Sequence, residues 1–171
     1  MGKNEKNPLQ WMVLYTKPRA EQKAFDALTQ NGFHAYLPCM TILRQWSDRK
    51  KKVKVPIFRS YVFVYCTKRR IVEAAQDDAI VGIVRFDGNP AVVREREMEI
   101  IRQIEAGKNV VSVTNQNLKK SEKVLIHLGR LKGIEGILTE FRGDKRVAVR
   151  IEALGCNLMV EIAEKYISRQ N

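Results

Sequence analysis

The sequence lacks several features that would assign the chain to a familiar class. No apolar run is long enough to cross a bilayer, and the polar stretch Met1 to Gln10 contains no hydrophobic core of the kind that directs secretion. We therefore expect a cytoplasmic protein without a membrane partner. Only 3 cysteines and 2 histidines are present, and their spacing fits neither a disulfide framework nor a zinc site.

Residues that could perform catalysis are also scarce. His34 and His127 each stand alone beside strand-like apolar residues, where a histidine is more often a packed bystander than a base or a metal ligand. The carboxylates are interspersed with lysine and arginine, as surface ion pairs usually are. We predict that the chain is not an enzyme and holds no metal or other cofactor. The three cysteines are predicted to be reduced and mostly buried.

What the chain does have is positive charge. The net charge is +12 and the sequence pI is about 9.8, a balance that favours polyanions, with nucleic acid as the first partner to consider. The densest basic run extends from Arg49 to Lys54, and such runs are more often solvated hairpin tips than specific sites. A hydrophobic content of 44% is ample for a packed core.

Periodicity predicts a mixed sheet and helix arrangement for the first hundred or so residues. Alanine and leucine recur at helical spacing after Pro18, and Asn31-Gly32 supplies a helix stop. The predicted helices are 19–31, 68–78 and 94–106, and the predicted strands are 11–16, 35–46, 52–55, 61–66 and 80–86. The neighbouring strands on either side of the basic turn indicate an antiparallel sheet.

The remaining sequence changes character. Polar residues around Thr114 to Ser121 predict an exposed linker. From Lys123 onward, short runs alternate with a period of two and are separated by turns containing glycine. Four or five strands in about fifty residues can bury their apolar faces only by curling into a small barrel.

The strand Tyr61 to Cys66, YVFVYC, carries an unusual aromatic face. Side chains alternate along a strand, so Tyr61, Phe63 and Tyr65 share one side. The other side carries Val62, Val64 and Cys66, which we expect to pack against the helices. Taken alone, this pattern favours a core strand that is buried on both faces.

Two sets of motifs resemble a known family. Val124 to Gly136, V-x-I-x-x-G-x-L-x-G-x-E-G, resembles the KOW motif, with Gly129, Gly133 and Gly136 as its glycines. The motifs of the first hundred residues resemble the NusG N-terminal (NGN) domain in order and spacing. These are WMVLYTKPR at 11–19, YLP at 36–38, PIFRSYVFV at 56–64 and GIVRFDGNPA at 82–91. The chain is identified as a member of the NusG family.

The resemblance implies an α+β fold in three parts. An NGN domain at 9–107, with an antiparallel sheet flanked by helices, precedes a linker at 108–121 and a five-stranded SH3-like KOW barrel at 122–169. Family members bind the clamp helices of the largest RNA polymerase subunit, and the KOW domain recruits partners such as the ribosomal protein NusE or Rho. We expect a monomer whose polymerase-binding patch is concave and aromatic, formed by Tyr15, Phe58, Tyr61 and Phe63.

Other motifs resemble the operon-specific RfaH and UpxY branch. The stretch RQWSDRKKKVKVP at 44–56 is similar to UpxY-type antiterminators of polysaccharide gene clusters. The compact turn TKPRAE at 16–21 also resembles this branch. RfaH carries a threonine-rich contact where this chain has Arg70 to Ala74, and its C-terminal domain can refold as an α-hairpin, which the alternation here argues against. The nucleic-acid-binding residues implied are Lys17, Lys23, Gln30, Asn31, Arg44, Arg49, Lys50, Lys51 and Lys52.

Two other interpretations remain. The chain could be a housekeeping elongation factor of the same family, or a KOW-containing RNA-binding protein of the translation machinery, since ribosomal proteins also combine KOW barrels with high positive charge. The exposed face of the first helix could equally be a plain solvated surface. The sequence alone does not distinguish a factor that shortens pauses from one that promotes them.

Overall fold

The fold is described from a computed structural model that covers residues 7–107, 110–114, 122–141 and 144–170. Its elements in chain order are β1 (Gln10–Thr16), α1 (Glu21–Gln30), β2 (His34–Tyr36), β3 (Cys39–Gln45), β4 (Lys50–Pro56), β5 (Tyr61–Cys66), α2 (Arg70–Ala74), β6 (Ile80–Ile83), β7 (Arg85–Phe86), β8 (Asn89–Pro90), β9 (Val92–Val93), α3 (Glu95–Gly107), β10 (Val110–Thr114), β11 (Lys123–Ile126), β12 (Glu135–Phe141), β13 (Asp144–Ile151), β14 (Cys156–Glu161) and β15 (Ile167–Arg169). Short 3-10 helices occupy Glu152–Leu154 and Glu164–Tyr166.

The chain divides into two compact units. The first contains the residues up to Leu37 together with Phe58–Glu95, and the second contains Pro38–Ile57 together with Arg96–Asn171. The hairpin of β3 and β4 and the helix α3 therefore belong to the second unit. The predicted domain limits of 9–107 and 122–169 follow a different division and stay a prediction.

The first unit is built on an antiparallel sheet with the strand order β2-β5-β1-β6, and β9 also pairs with β1. The central strand β5 lies between β2 and β1, and both α1 and α2 pack on it. Val62, Val64 and Cys66 are almost fully buried, which confirms the expectation that this side of the strand belongs to the core. The sheet flanked by helices that the sequence predicts is thus present.

The second unit contains a two-stranded ribbon, a helix and a second sheet. Strands β3 and β4 pair antiparallel over their whole length, from Cys39 opposite Pro56 to Gln45 opposite Lys50. In α3 the apolar stripe of Met98, Ile101 and Ile104 is fully buried, as its spacing predicts. The Glu105 carboxylate accepts a hydrogen bond of 2.8 Å from the Cys39 backbone amide, which ties α3 to the ribbon.

The second sheet has six antiparallel strands in the order β10-β14-β13-β12-β11-β15. Val147, Val149, Leu158 and Val160 lie at alternate positions of β13 and β14 and are almost fully buried, as the two-residue period predicts, and Ala148 and Asn157 next to them are buried as well. Within the described parts of the chain, the strand pairings form an open path rather than a closed barrel. The segment 122–169 contributes five of these strands, β11 to β15, as predicted, and β10 from before that segment adds a sixth.

The additional strand corrects the prediction for the linker. Residues 110–114 were expected in the linker 108–121, but they form β10, which pairs with β14 from Val110 opposite Val160 to Thr114 opposite Asn157. The sequence V-V-S-V-T is short and adjoins a polar stretch, so its composition predicted a linker. It forms a strand because it pairs with a distant part of the chain. Residues 108–109 and 115–121 of that prediction lie outside the described residues.

The three cysteines form no disulfide with one another, and they differ in burial. Burial raises the pKa of the Cys66 and Cys156 thiols from 9.0 to about 11, with Arg70 and Arg150 as weaker opposing influences, while Cys39 is only half-buried. At pH 8 we expect Ellman's reagent to modify Cys39 first and the other two only in denaturant, because the thiolate is the nucleophile. The stability contributed by the two neutral thiols should fall as pH rises from about 9 to about 11. Equally fast modification of all three thiols in the native protein would contradict this.

Candidate functional site

An aromatic surface lies along one face of the first sheet. Trp11, His34 and Tyr65 are in edge or tilted ring contact at one end, with centroid separations of 5.1 to 5.8 Å. At the other end Tyr15 lies opposite Tyr61 across β1 and β5, with ring centroids 5.8 Å apart. Tyr15 is 43% exposed and Tyr61 is half-buried, so this end of the face is accessible.

Phe58 and Phe63, the other two residues of the predicted aromatic patch, are core residues. Their exposed fractions are only 3% and 0%, and their rings pack against each other in an edge contact with centroids 5.5 Å apart. Strand β5 is central and carries buried residues on both sides, so the prediction that all four rings form an open hollow is wrong for these two. Of the four predicted rings, Tyr15 and Tyr61 are the accessible ones.

Beside Tyr15 the surface is open on the edge of the sheet. Gly82 of β6 lies opposite Tyr15, and a Cβ placed on this glycine would meet no atom within 4 Å. The neighbouring Val81 is 60% exposed. Neither residue was predicted as part of a site, although the lack of a side chain at Gly82 in a strand is the kind of signal that marks a close approach by another molecule.

The backbone before Tyr61 is fixed by hydrogen bonds. Ser60 has a φ of 60°, a conformation uncommon for residues other than glycine. Its amide donates to the buried Glu21 carboxylate at 2.7 Å, and its carbonyl accepts from the Thr16 amide at 2.8 Å. These two bonds hold the start of β5 against the end of β1, which sets Tyr61 beside Tyr15.

The ribbon of β3 and β4 carries the basic residues predicted to bind nucleic acid. The side chains of the set are all exposed: Arg44, Arg49, Lys50, Lys51 and Lys52. Arg49 and Asp48 form an ion pair of 3.9 Å in which both side chains are about 70% exposed, a pairing worth little in water. The ribbon therefore presents an almost unopposed positive surface to solvent.

The remaining predicted nucleic-acid contacts lie on and beside α1. Lys17, Lys23, Gln30 and Asn31 are all exposed. Lys23 and Gln30 are seven residues apart on the helix and so share one face, and Asn31 caps its C-terminal end. The structure thus leaves these side chains available, and it brings Lys23, Gln30 and Asn31 to one side of the first unit.

The three glycines of the predicted KOW motif have two different roles. Gly129 and Gly133 lie in the turn between β11 and β12 with φ of 80° and 86°. The Gly133 amide donates to the Ile126 carbonyl at 2.7 Å and closes that turn. Gly136 lies within β12 in ordinary strand conformation, where the closely packed β13 leaves no room for a side chain.

More than half of the chain matches a known protein family. Residues 9–102 match the family model described as "NusG: Transcription termination factor nusG", which is more than half of the chain. The chain belongs to the NusG family. The matched residues of this NusG-family chain include the Tyr15 and Tyr61 pair, the basic ribbon and most of α3.

The chain also matches solved structures, and one of these shares its fold. The structure reported as the domain interaction in Thermotoga maritima NusG matches with a TM-score of 0.59 and 20% identity, covering 96% of this chain and 98% of that one. Two conformations of the MjSpt4:Spt5 complex match with low TM-scores of 0.32 and 0.34 at 14% and 15% identity, covering 94% and 93% of this chain and 98% and 95% of those chains. The likeness to Thermotoga maritima NusG shows a shared fold.

NusG-family members are transcription factors without enzymatic activity. Among the residues that the structure describes, no group of three or more histidine, cysteine, aspartate or glutamate side chains could hold a metal ion. None of the described helices has the length and apolar character needed to cross a membrane. The candidate surfaces of this NusG-family chain are the aromatic surface of the first unit and the basic ribbon of the second.

Proposed function

We propose that this chain is a transcription elongation factor that binds the clamp helices of the largest RNA polymerase subunit and suppresses pausing. Its action is operon-specific, of the kind known for RfaH and UpxY proteins at polysaccharide gene clusters. It acts as a cytoplasmic monomer and performs no covalent chemistry. The observation that carries the proposal is the accessible tyrosine pair, Tyr15 and Tyr61, within a domain of this family.

The tyrosine pair has the properties of an interface anchor. Tyrosine supplies a large apolar area with a polar tip, and a few such side chains commonly provide most of the binding energy of an interface. The open surface beside Gly82 offers room for the tip of a helical hairpin next to Tyr15. Phe58 and Phe63 are buried and therefore would not touch the partner.

The basic residues of the ribbon and of α1 would hold nucleic acid near the docked polymerase. Arginine and lysine bind phosphates without reading sequence, whereas the amides of Gln30 and Asn31 are suited to hydrogen bonds with base edges. In this arrangement the non-template DNA strand is the natural partner for α1, and the ribbon binds upstream or displaced DNA. Binding should then weaken steeply with salt.

We propose that the C-terminal sheet is the KOW domain, that its open path of strands curls into an SH3-like barrel, and that a linker joins it to the NGN domain. Its glycine turn and strand order support this assignment, since β11 pairs with β12 and β15 on its two sides. We propose that it recruits a further component, with NusE or Rho as the candidates. The threonine-rich contact of RfaH has no counterpart in Arg70–Ala74, which forms the short helix α2.

Co-purification at high salt tests the proposed function. We expect a tagged chain to retain core RNA polymerase through washes that remove nucleic-acid-mediated contacts, because aromatic anchors are insensitive to screening. Association with ribosomal subunits and not with polymerase would contradict the proposal and favour an RNA-binding role in translation. Chromatin profiling of the same tagged chain should show one gene cluster, whereas signal on all transcribed genes would indicate a housekeeping factor.

A further inference from the structure

The ribbon of β3 and β4 concentrates charge and also ends in an exposed tryptophan. Between Cys39 and Pro56 the chain has six basic residues and one acidic residue, so this segment carries +5 of the net +12. Trp46, at the turn, is 54% exposed. An exposed tryptophan is not needed to keep a hairpin tip soluble, since lysine alone would serve that purpose.

The pairing register assigns the charged residues to two different faces of the ribbon. Arg44 lies opposite Lys51, on the face that carries the half-buried residues Ile42 and Val53 further along. The other face carries Leu43 opposite Lys52 and Gln45 opposite Lys50, and all four residues are exposed. Both faces therefore carry basic residues, and those of one face can be substituted without changing the other face.

Trp46 lies on the same face of the ribbon as Arg44. Its amide donates to the Arg49 carbonyl at 2.8 Å, which extends the antiparallel pairing by one step beyond Gln45 and Lys50. Because side chains alternate, Trp46 and Arg49 follow Arg44 and Lys51 onto the same face of the ribbon. One aromatic and three cationic side chains are thus brought together at the tip.

We propose that this tip binds one unpaired nucleotide of a DNA strand, with its base stacked on the Trp46 indole and its flanking phosphates held by Arg44, Arg49 and Lys51. Stacking needs the face of a base, which a strand exposes when it is unpaired and a duplex conceals. The inference rests on the nucleic-acid contact in the proposed function and narrows it to a single stacking side chain. Lys50 and Lys52, on the opposite face, attract the strand without positioning it.

Intrinsic fluorescence can report this contact directly. The chain has only two tryptophans, and Trp11 is 3% exposed, so quenching by an added oligonucleotide reports Trp46. We expect oligothymidylate to quench the emission and to bind more tightly than a duplex of the same length. Measured by anisotropy of a labelled oligonucleotide, Trp46→Ala should bind about tenfold more weakly, while Trp46→Phe, which keeps a ring, should retain most of the affinity.

A matched pair of charge variants separates a built site from general attraction. Arg44→Gln with Lys51→Gln removes two positive charges from one face of the ribbon, and Lys50→Gln with Lys52→Gln removes two from the other face. We expect the first pair to reduce the slope of log affinity against log salt by about 1.4, because each lost phosphate contact contributes about 0.7 for a single strand. The second pair should change the slope less. Equal effects of the two pairs, together with unchanged binding by Trp46→Ala, would overturn the inference.

Failure of this inference can be distinguished from failure of the proposed function. Wild-type protein that co-purifies with polymerase but shows no Trp46-dependent binding of oligothymidylate would overturn the tip assignment and leave the proposed function standing. Loss of polymerase co-purification in Trp46→Ala would place the indole against protein, which also overturns it. RNA of the same sequence bound tenfold more tightly than DNA would contradict the choice of strand. Circular dichroism of each variant checks that the fold is retained.

Discussion

Replacing Tyr15 and Tyr61 together with alanine should weaken binding to purified core RNA polymerase by at least about a hundredfold. Each buried aromatic anchor of an interface contributes on the order of 2 kcal/mol or more, and the two contributions need not add fully. The two rings contact each other and end an otherwise buried aromatic face, so their removal takes away the accessible part of that face. Fluorescence-detected titration of polymerase gives the affinity of each variant.

The control for this experiment is another exposed tyrosine. Tyr166 of the C-terminal 3-10 helix is 37% exposed, close to the 43% of Tyr15, and its replacement by alanine should leave polymerase affinity unchanged. Phe63→Ala is unsuitable, because deleting a fully buried phenylalanine costs about 3 to 5 kcal/mol of stability. Polymerase affinity within threefold of wild type in the double tyrosine variant would show that the pair is not the anchor.

Replacing Gly136 with alanine should destabilise the C-terminal sheet more than any other glycine substitution in the described part of the chain. The added Cβ would collide with the Val147 side chain and lie 2.8 Å from the Ala148 carbonyl oxygen, and both residues are 1% exposed. Overpacking of this kind typically costs about 1 to 3 kcal/mol, and more where backbone must move. Urea unfolding, with hydrogen exchange of peptides from β12 and β13, measures the loss.

Substitutions of two further glycines serve as controls for Gly136→Ala. Gly82→Ala places the new methyl in open space at ordinary strand angles, so stability should be unchanged or slightly raised. Gly133→Ala also has space, but its φ of 86° should cost about 1 kcal/mol. A Gly136→Ala variant that unfolds at the same urea concentration as the Gly82→Ala variant would refute the close packing of β12 on β13.

Much of the fold could be predicted because local patterns and long-range packing agree. The buried stripe of α3 follows its helical spacing, and the valine and leucine residues at alternate positions of β13 and β14 are buried, so these elements are specified largely by their own residues. The strand Tyr61–Cys66 is different. Here the pattern and the family resemblance disagree, because the pattern alone favours a strand buried on both faces, as β5 is at Phe63 and Val64, whereas the resemblance implied an open aromatic patch.

The candidate site was therefore predicted only in part. Residue type identified Tyr15 and Tyr61, but it could not separate them from Phe58 and Phe63, because exposure depends on which neighbours cover each ring. The strand β10 was missed for a related reason, since five residues beside a polar stretch acquire their conformation from pairing with β14. The role proposed for Trp46 needed the register of the ribbon, which the sequence does not reveal.

The most direct test of the central claim is a single-round transcription assay with purified polymerase on a template with a strong pause. The template carries the start of the gene cluster that the chain acts on. We predict that the wild-type chain and the Tyr166→Ala control shorten the half-life of the pause. The variant with both Tyr15 and Tyr61 replaced by alanine should have no effect. Pause shortening by the double variant equal to that of the wild-type chain would contradict the account.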